Sequence, residues 1–257
     1  MIAFWRRYII MVKKNAAIIT IFLFLYIMFS RSTVSEVVGG ASNINIDSKS
    51  EIVSRKSNID LNPEKFSDHY IDRITTFRSL GNNNGEIIFL GDSLIEICEW
   101  SELLNNPLIK NRGISGDTTY GVLNRLEETT EARPSKIFMM VGINDVGKCR
   151  PTQNIIDDYE KIFNKIKADS PNTKIYVHSI LPINKEKFIT HTKVEEILNL
   201  NSDLNKLCDK LQVKYINLYP LFVVSDNKLN PQYTTAGIHL NGDGYLIWKE
   251  AIKDLCK

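Results

Sequence analysis

Gly91-Asp92-Ser93-Leu94 directly follows the apolar run Ile87-Ile88-Phe89-Leu90. A buried strand that ends in a tight Gly-Asp-Ser turn presents a hydroxyl at the lip of a sheet, a useful place for a nucleophile. Gly, Asp and Ser are also ordinary turn residues, so the tetrapeptide alone fits a plain turn. Three later segments give it weight: Gly113-Ile114-Ser115-Gly116-Asp117, Gly142-Ile143-Asn144-Asp145 and Gly237-Ile238-His239. Acyl transfer needs a nucleophile, a base to take its proton, and donors aimed at the oxygen that becomes negative. Ser93 is the candidate nucleophile. Gly116 offers a closely approaching backbone N–H, and Asn144 a neutral amide donor. Of the four histidines, His69 lies upstream of the sheet, His178 falls inside an expected strand as a packed residue, and His191 sits in a polar loop. His239 stands in a Gly-flanked turn before the last helix and is the best base. Asp92 and Asp145 are expected to accept nearby backbone N–H groups. Trp100 either shapes an acyl pocket or packs in the core, and the Tyr233 loop is a candidate cleft wall.

The elements that must position these groups are legible as alternation. Short apolar strands are expected at Glu86–Leu90, Leu108–Arg112, Lys136–Val141, Lys174–Ile180 and Lys214–Leu218. Between them lie segments with helical spacing of apolar residues: Thr152 to Ala168, Val194 to Leu211, and a last helix capped by Asn241. A further helix precedes the first strand, over Glu64 to Leu80. Alternating βα units imply a parallel sheet covered on both faces. In such a sheet, ligands bind outside the carboxyl ends of the strands. Ser93, Gly116 and Asn144 follow the first, second and third strands and are therefore expected at one edge.

These four blocks, Gly91-Asp92-Ser93-Leu94, Gly116 in Ser115-Gly116-Asp117-Thr118, Gly142-Ile143-Asn144-Asp145 and Gly237-Ile238-His239-Leu240, resemble those of the SGNH hydrolases, or GDSL esterases, in order and spacing. The resemblance spans roughly Glu64 to Cys256. It implies a flavodoxin-like three-layer α/β/α sandwich with about five parallel strands. It also implies Ser93 as nucleophile, His239 as base, and an oxyanion hole from the N–H groups of Ser93 and Gly116 and the amide of Asn144. No metal or organic cofactor is implied. The serine is not in a G-x-S-x-G elbow, which sets the chain apart from the α/β-hydrolases.

One position departs from that pattern. The family usually places an aspartate three residues before the histidine, and this chain has Ala236. The aspartate would fix the histidine tautomer and stabilise the imidazolium, a role worth about 10⁴ in kcat in the serine-protease template. Asp226 and Asp243 are alternative partners, Asp243 also being a natural first-turn acid. Three origins fit Ala236: an isolated or engineered substitution in an active parent, a natural Ser-His dyad, or a protein that binds without turnover.

Composition excludes other classes. The chain has 257 residues, 43% hydrophobic and 24% charged, with net charge +2. Arg6, Arg7, Lys13 and Lys14 lie in the first 30 residues, which hold no acid, so 2 − 4 leaves −2 for the remainder. A slightly acidic body has no electrostatic footprint for nucleic acid. Basic residues followed by the apolar run Ala16–Phe29 suit an export signal or an uncleaved anchor over residues 8–29. The expected organisation is residues 1–30 as signal peptide or membrane anchor, 31–61 as a flexible tether, and 62–257 as the hydrolase domain. Cys98, Cys149, Cys208 and Cys256 lack metal-ligand spacing and are expected mostly buried, with a Cys208–Cys256 bridge as an option. The expectation is an exported serine esterase acting on short esters, acetyl foremost, of a small molecule or an O-acetylated glycan. A catalytically inactive glycan-binding module and an O-acyltransferase are the alternatives.

Overall fold

A computed structural model of the chain describes residues 59–62, 64–81 and 83–257. The expected signal or anchor, and the tether as far as residue 58, lie outside the described residues. Five parallel strands form the sheet: β1 (Ile87–Gly91), β2 (Ile109–Gly113), β3 (Lys136–Met140), β4 (Lys174–His178) and β5 (Lys214–Ile216). Their order is β2-β1-β3-β4-β5. The chain winds one way from β1 to β2 and then back past β1 to β3, so the loops after β1 and β3 diverge at a topological switch point.

Every residue of β1 is buried, as a central strand covered on both faces requires. Register aligns Phe89 with Phe138 and Phe138 with Tyr176, and their rings stack in a row at centroid distances of 5.0 and 4.6 Å. Trp100, in the short helix α3 (Trp100–Leu103), lies on Phe89 at 4.4 Å. Trp248 of α9 (Gly242–Ile252) meets Trp100 edge-on at 5.0 Å. Alternate residues of a strand face opposite ways, so this aromatic row defines one covered face. Another helical group comprises α4 (Thr119–Asn124), α5 (Leu126–Glu131), α7 (Thr152–Asp169) and α8 (Val194–Lys210), with α7 packed against the other three. In α7 the apolar stripe Ile155, Tyr159, Ile162, Phe163 and Ile166 is buried, and the Tyr159 hydroxyl donates to the carbonyl of Val141 just past β3.

Several boundaries differ from the sequence reading. The first helix, α1, runs Asp68–Ser79 instead of starting at Glu64, because the Ser67 side chain caps it by accepting the Tyr70 N–H. Strand β4 ends at His178 rather than Ile180. Beyond it Ser179 Oγ accepts the N–H groups of Leu218 and Tyr219, while Asn201 Oδ1 accepts that of Ile180. Those side-chain bonds replace the ladder. A two-residue hairpin, β6 (Val223–Val224) with β7 (Lys228–Leu229), was not expected from the pattern. Ile59, Asp60 and Leu61 are docked on the domain instead of belonging to a tether. Ile59 joins Tyr70, Ile74, Phe77 and Ile114 in a second apolar cluster, and Asp60 exchanges hydrogen bonds with Asn124. All four cysteines are free, so Cys208 and Cys256 are not bridged. Cys98, Cys208 and Cys256 are buried and Cys149 is exposed, in keeping with cysteines that are mostly buried.

Candidate active site

Asp92 stops β1 and starts the short helix α2 (Ser93–Glu96) by accepting the Leu94 N–H on its Oδ1 at 3.0 Å. Ser93 is therefore the first helical residue, with its N–H among those that a helix leaves unpaired. Its side chain is nearly buried, at 7% exposure. From the other end of the chain, His239 Nε2 lies 2.9 Å from Ser93 Oγ. Residues 146 apart in sequence are thus joined by a nucleophile–base hydrogen bond.

The loop that delivers His239 is held by backbone bonds. Thr234 is buried; its hydroxyl donates to the His239 carbonyl at 2.6 Å and accepts the Gly237 N–H at 2.7 Å. Asn184 N–H donates to the Gly237 carbonyl at 2.7 Å. Gly237 has φ +85°, and a Cβ there would come within 2.6 Å of the Asn184 carbonyl oxygen. Glycine is needed both for the left-handed conformation and for the close approach.

The oxyanion candidates converge through a second set of contacts. Ile114 N–H donates to the Gly91 carbonyl, continuing the β1–β2 pairing into the loop. Gly116 follows with φ +80°, and its N–H meets no acceptor among the described residues. Asn144 lies in α6 (Ile143–Gly147), and its Nδ2 donates to the Asp117 carbonyl at 2.9 Å. One amide hydrogen fixes the side chain and the other is left for a ligand. Gly116 and Asn144 line one cavity of about 670 Å³.

Buried charges brace these loops. Arg125, 1% exposed, donates from Nε to Asp117 Oδ2 at 2.9 Å and from Nη2 to the carbonyls of Gly91 and Arg112. One guanidinium thus ties the end of β1 to the end of β2. Asp145 accepts from both the N–H and the hydroxyl of Thr119 and pairs with Arg150, which also holds Asp158 at 2.8 Å. Burial pushes Asp92 up to about 7, and the neighbouring carboxylates Asp117 and Asp145 add to the rise. Burial also lifts Asp117 to about 6, against the pull of Arg125. His239 is lowered from its ordinary value by burial, so the ring is neutral and able to accept a proton at neutral pH.

Ser93 and His239 are brought into contact, and Gly116 and Asn144 share a wall. Asp92 and Asp145 accept backbone N–H groups as expected. His178 is wholly buried between Phe138 and Trp248, and His191 is exposed in a loop. His69 pairs with Glu96 at 3.1 Å. Trp100 is a core residue with its indole N–H on the Ile95 carbonyl, not an acyl-pocket wall. Tyr233 is half-buried, edge-on to Phe222. Ala236 is exposed and brings no carboxylate. Asp226 and Asp243 are exposed, and neither bonds to His239; among the described residues His239 Nδ1 has no hydrogen-bond partner. The bracing residues Arg125, Thr119, Arg150 and Asp158 escaped the sequence reading. Asp117 within Ser115-Gly116-Asp117-Thr118 was the available signal, since a buried acid needs a cation nearby.

The model of the GDSL-like lipase/acylhydrolase family matches residues 89–247. The chain is 29% identical over 171 residues to human platelet-activating factor acetylhydrolase IB subunit alpha2, covering 62% of this chain and 71% of that one. A solved structure from Streptococcus pneumonia, provisionally described as a platelet activating factor, is 29% identical with a TM-score of 0.70, covering 76% of this chain and 95% of that one. A GDSL-like lipase structure from Bacteroides thetaiotaomicron is 25% identical with a TM-score of 0.64, covering 73% and 96%. With a parallel sheet in flavodoxin-like order and a serine–histidine contact at its edge, the chain belongs to the GDSL-like lipase/acylhydrolase family of ester hydrolases.

Proposed function

We propose that this protein is an exported serine esterase that removes short acyl groups, acetyl foremost, from carbohydrate. The observation that carries the reading is the 2.9 Å contact between Ser93 Oγ and His239 Nε2. Ser93 Oγ attacks the ester carbonyl carbon as its proton passes to His239 Nε2. The carbonyl oxygen becomes negative against the N–H groups of Ser93 and Gly116 and the free amide hydrogen of Asn144. Collapse breaks the bond to the alcohol oxygen, which takes the proton back from His239. Water then repeats the sequence on the acyl-serine and regenerates the enzyme.

Short acyl groups are favoured because Leu94, Met140, Ile143, Ile183 and Ile238 pack closely beside Asp92 and leave no open channel for a long acyl chain. Relatives named acetylhydrolases point the same way. Export rests on the basic-then-apolar N-terminus, which would place the domain on the far side of a membrane, anchored or released. The free Nδ1 of His239 favours slow turnover, and it sustains a second reading in which the cleft holds a glycan without cleaving it. The test is acetate release from small esters and acetylated oligosaccharides, with fluorophosphonate labelling of Ser93. Turnover lost in Ser93→Ala supports the esterase. If neither this chain nor Ala236→Asp cleaves any short ester, and Ser93 takes no label, the esterase reading fails.

A further inference from the structure

The cavity of about 670 Å³ beyond Gly116 and Asn144 is much larger than an acetyl group and lies within the range of small-molecule sites, about 300–1,000 Å³. Its lining has three features. The first is an aromatic ladder. Tyr70, Phe66 and Tyr120 stack in succession, Phe66 at 4.3 Å from Tyr70 and 5.9 Å from Tyr120, all within 10° of parallel. The inner ring is buried with its hydroxyl on the Gly121 carbonyl at 2.7 Å, while Tyr120 at the outer end is 46% exposed. The second is charge. Lys65, Lys148 and Arg150 line the cavity, and the one carboxylate among its described lining residues, Asp117, is buried against Arg125. The third is which of those cations is free. Lys65 is paired with Asp60, and Arg150 with Asp145 and Asp158. The Lys148 ammonium has no ion pair or hydrogen bond among the described residues, and it sits four residues beyond Asn144 at the end of α6.

We infer that this cavity is a subsite for the alcohol half of the ester, and that it takes an acidic sugar: a pyranose ring against Tyr120 and a carboxylate on Lys148. An exposed aromatic face suits the apolar face of a sugar ring. A single unpaired ammonium supplies one positive charge, which matches a carboxylate. A two-pronged grip on a dianionic phosphate uses a guanidinium fork, and that of Arg150 is already spent on two carboxylates. The subsite rests on the esterase reading only in placing the ester carbonyl at Gly116 and Asn144. It narrows the substrate from carbohydrate esters in general to esters of uronic-acid-containing glycans.

The test is calorimetric titration of the full chain carrying Ser93→Ala with trigalacturonate and with the neutral galactotriose, neither of which bears an ester. The acidic trimer is expected to bind about threefold tighter, a difference of about 0.65 kcal/mol, which one exposed ion pair supplies. Lys148→Gln abolishes that preference without affecting the neutral ligand, and Tyr120→Ala weakens both. Added salt erodes the preference and leaves neutral binding unchanged. Equal affinities for the two trimers, a preference that survives Lys148→Gln, or no binding of either trimer overturns the proposal. Binding as expected, with no ester cleaved even by Ala236→Asp, would refute the esterase and leave the subsite standing as part of a glycan-binding surface.

Discussion

At residue scale the decisive atom is His239 Nδ1. For Nε2 to accept the Ser93 proton, the ring hydrogen must sit on Nδ1, and among the described residues no acceptor there holds it. Ala236→Asp is expected to raise kcat for short esters by about 10² or more, approaching the worth of the third triad member. The same variant shifts the pH profile. His239 is lowered by burial, so the kcat/KM limb of the present chain rises with an inflection below 6.5. A carboxylate beside the ring stabilises the imidazolium, and the inflection moves upward. Stopped-flow assays across pH 4–8 read both effects, and an unchanged inflection would mean that the new carboxylate does not reach the ring. Asn144→Ala removes one oxyanion donor and is expected to lower kcat about 10²–10³-fold with KM nearly unchanged. A rise in KM alone would instead make Asn144 a ground-state binder.

At the scale of elements, the site depends on loops whose paths are fixed from outside. The His239 loop is held by Thr234, Asn184 and the left-handed turn at Gly237. In Gly237→Ala the new methyl meets a backbone oxygen, which cannot yield as a side-chain tip can. The loop is expected to shift, and a displacement of about 1 Å costs about 10²-fold in kcat. Stability falls by only about 1–2 kcal/mol, the cost of a left-handed residue. Kinetics and thermal melts on one preparation separate the two effects; a melt lowered with full activity would mean that the loop tolerates the methyl. These dependencies were partly legible. The strand runs, the long helices and the Asn241 cap followed from periodicity and capping chemistry. The early end of β4 and the late start of α1 did not, because Ser179, Asn201 and Ser67 act through bonds that no local pattern reports.

At the scale of the whole molecule, buried ionisable groups set opposing pH dependences. His178 is wholly buried with both ring nitrogens unpartnered, and burial lowers it to about 3. The folded state keeps it neutral while the unfolded chain protonates it. The stability it contributes is therefore present above 6.5 and lost as pH falls toward 3. Asp92 and Asp117 run the other way: raised to about 7 and about 6, they favour the fold at low pH and lose that contribution as pH rises through those values. His178→Phe keeps the stacking against Phe138 and removes the titration. Relative to the parent, it is expected to gain about 2 kcal/mol on going from pH 7 to pH 5. Urea denaturation at the two pH values measures this, and a difference that does not grow on acidification would show His178 to be hydrated or partnered.

The parts and their order can be read directly along the chain: a serine after the first strand, a glycine after the second, an asparagine after the third and a histidine before the last helix. Strand alternation forces a covered parallel sheet, and such a sheet places its loops at one edge, so this much follows from local chemistry. Long-range packing alone brings His239 to Ser93, leaves Nδ1 without a partner among the described residues, and sets Arg125 on Asp117 beneath the oxyanion loop. It also stands Phe66 and Tyr120 on the same cavity wall as Lys148. Those relations join residues far apart in the chain, and long-range packing specifies them where local propensity does not.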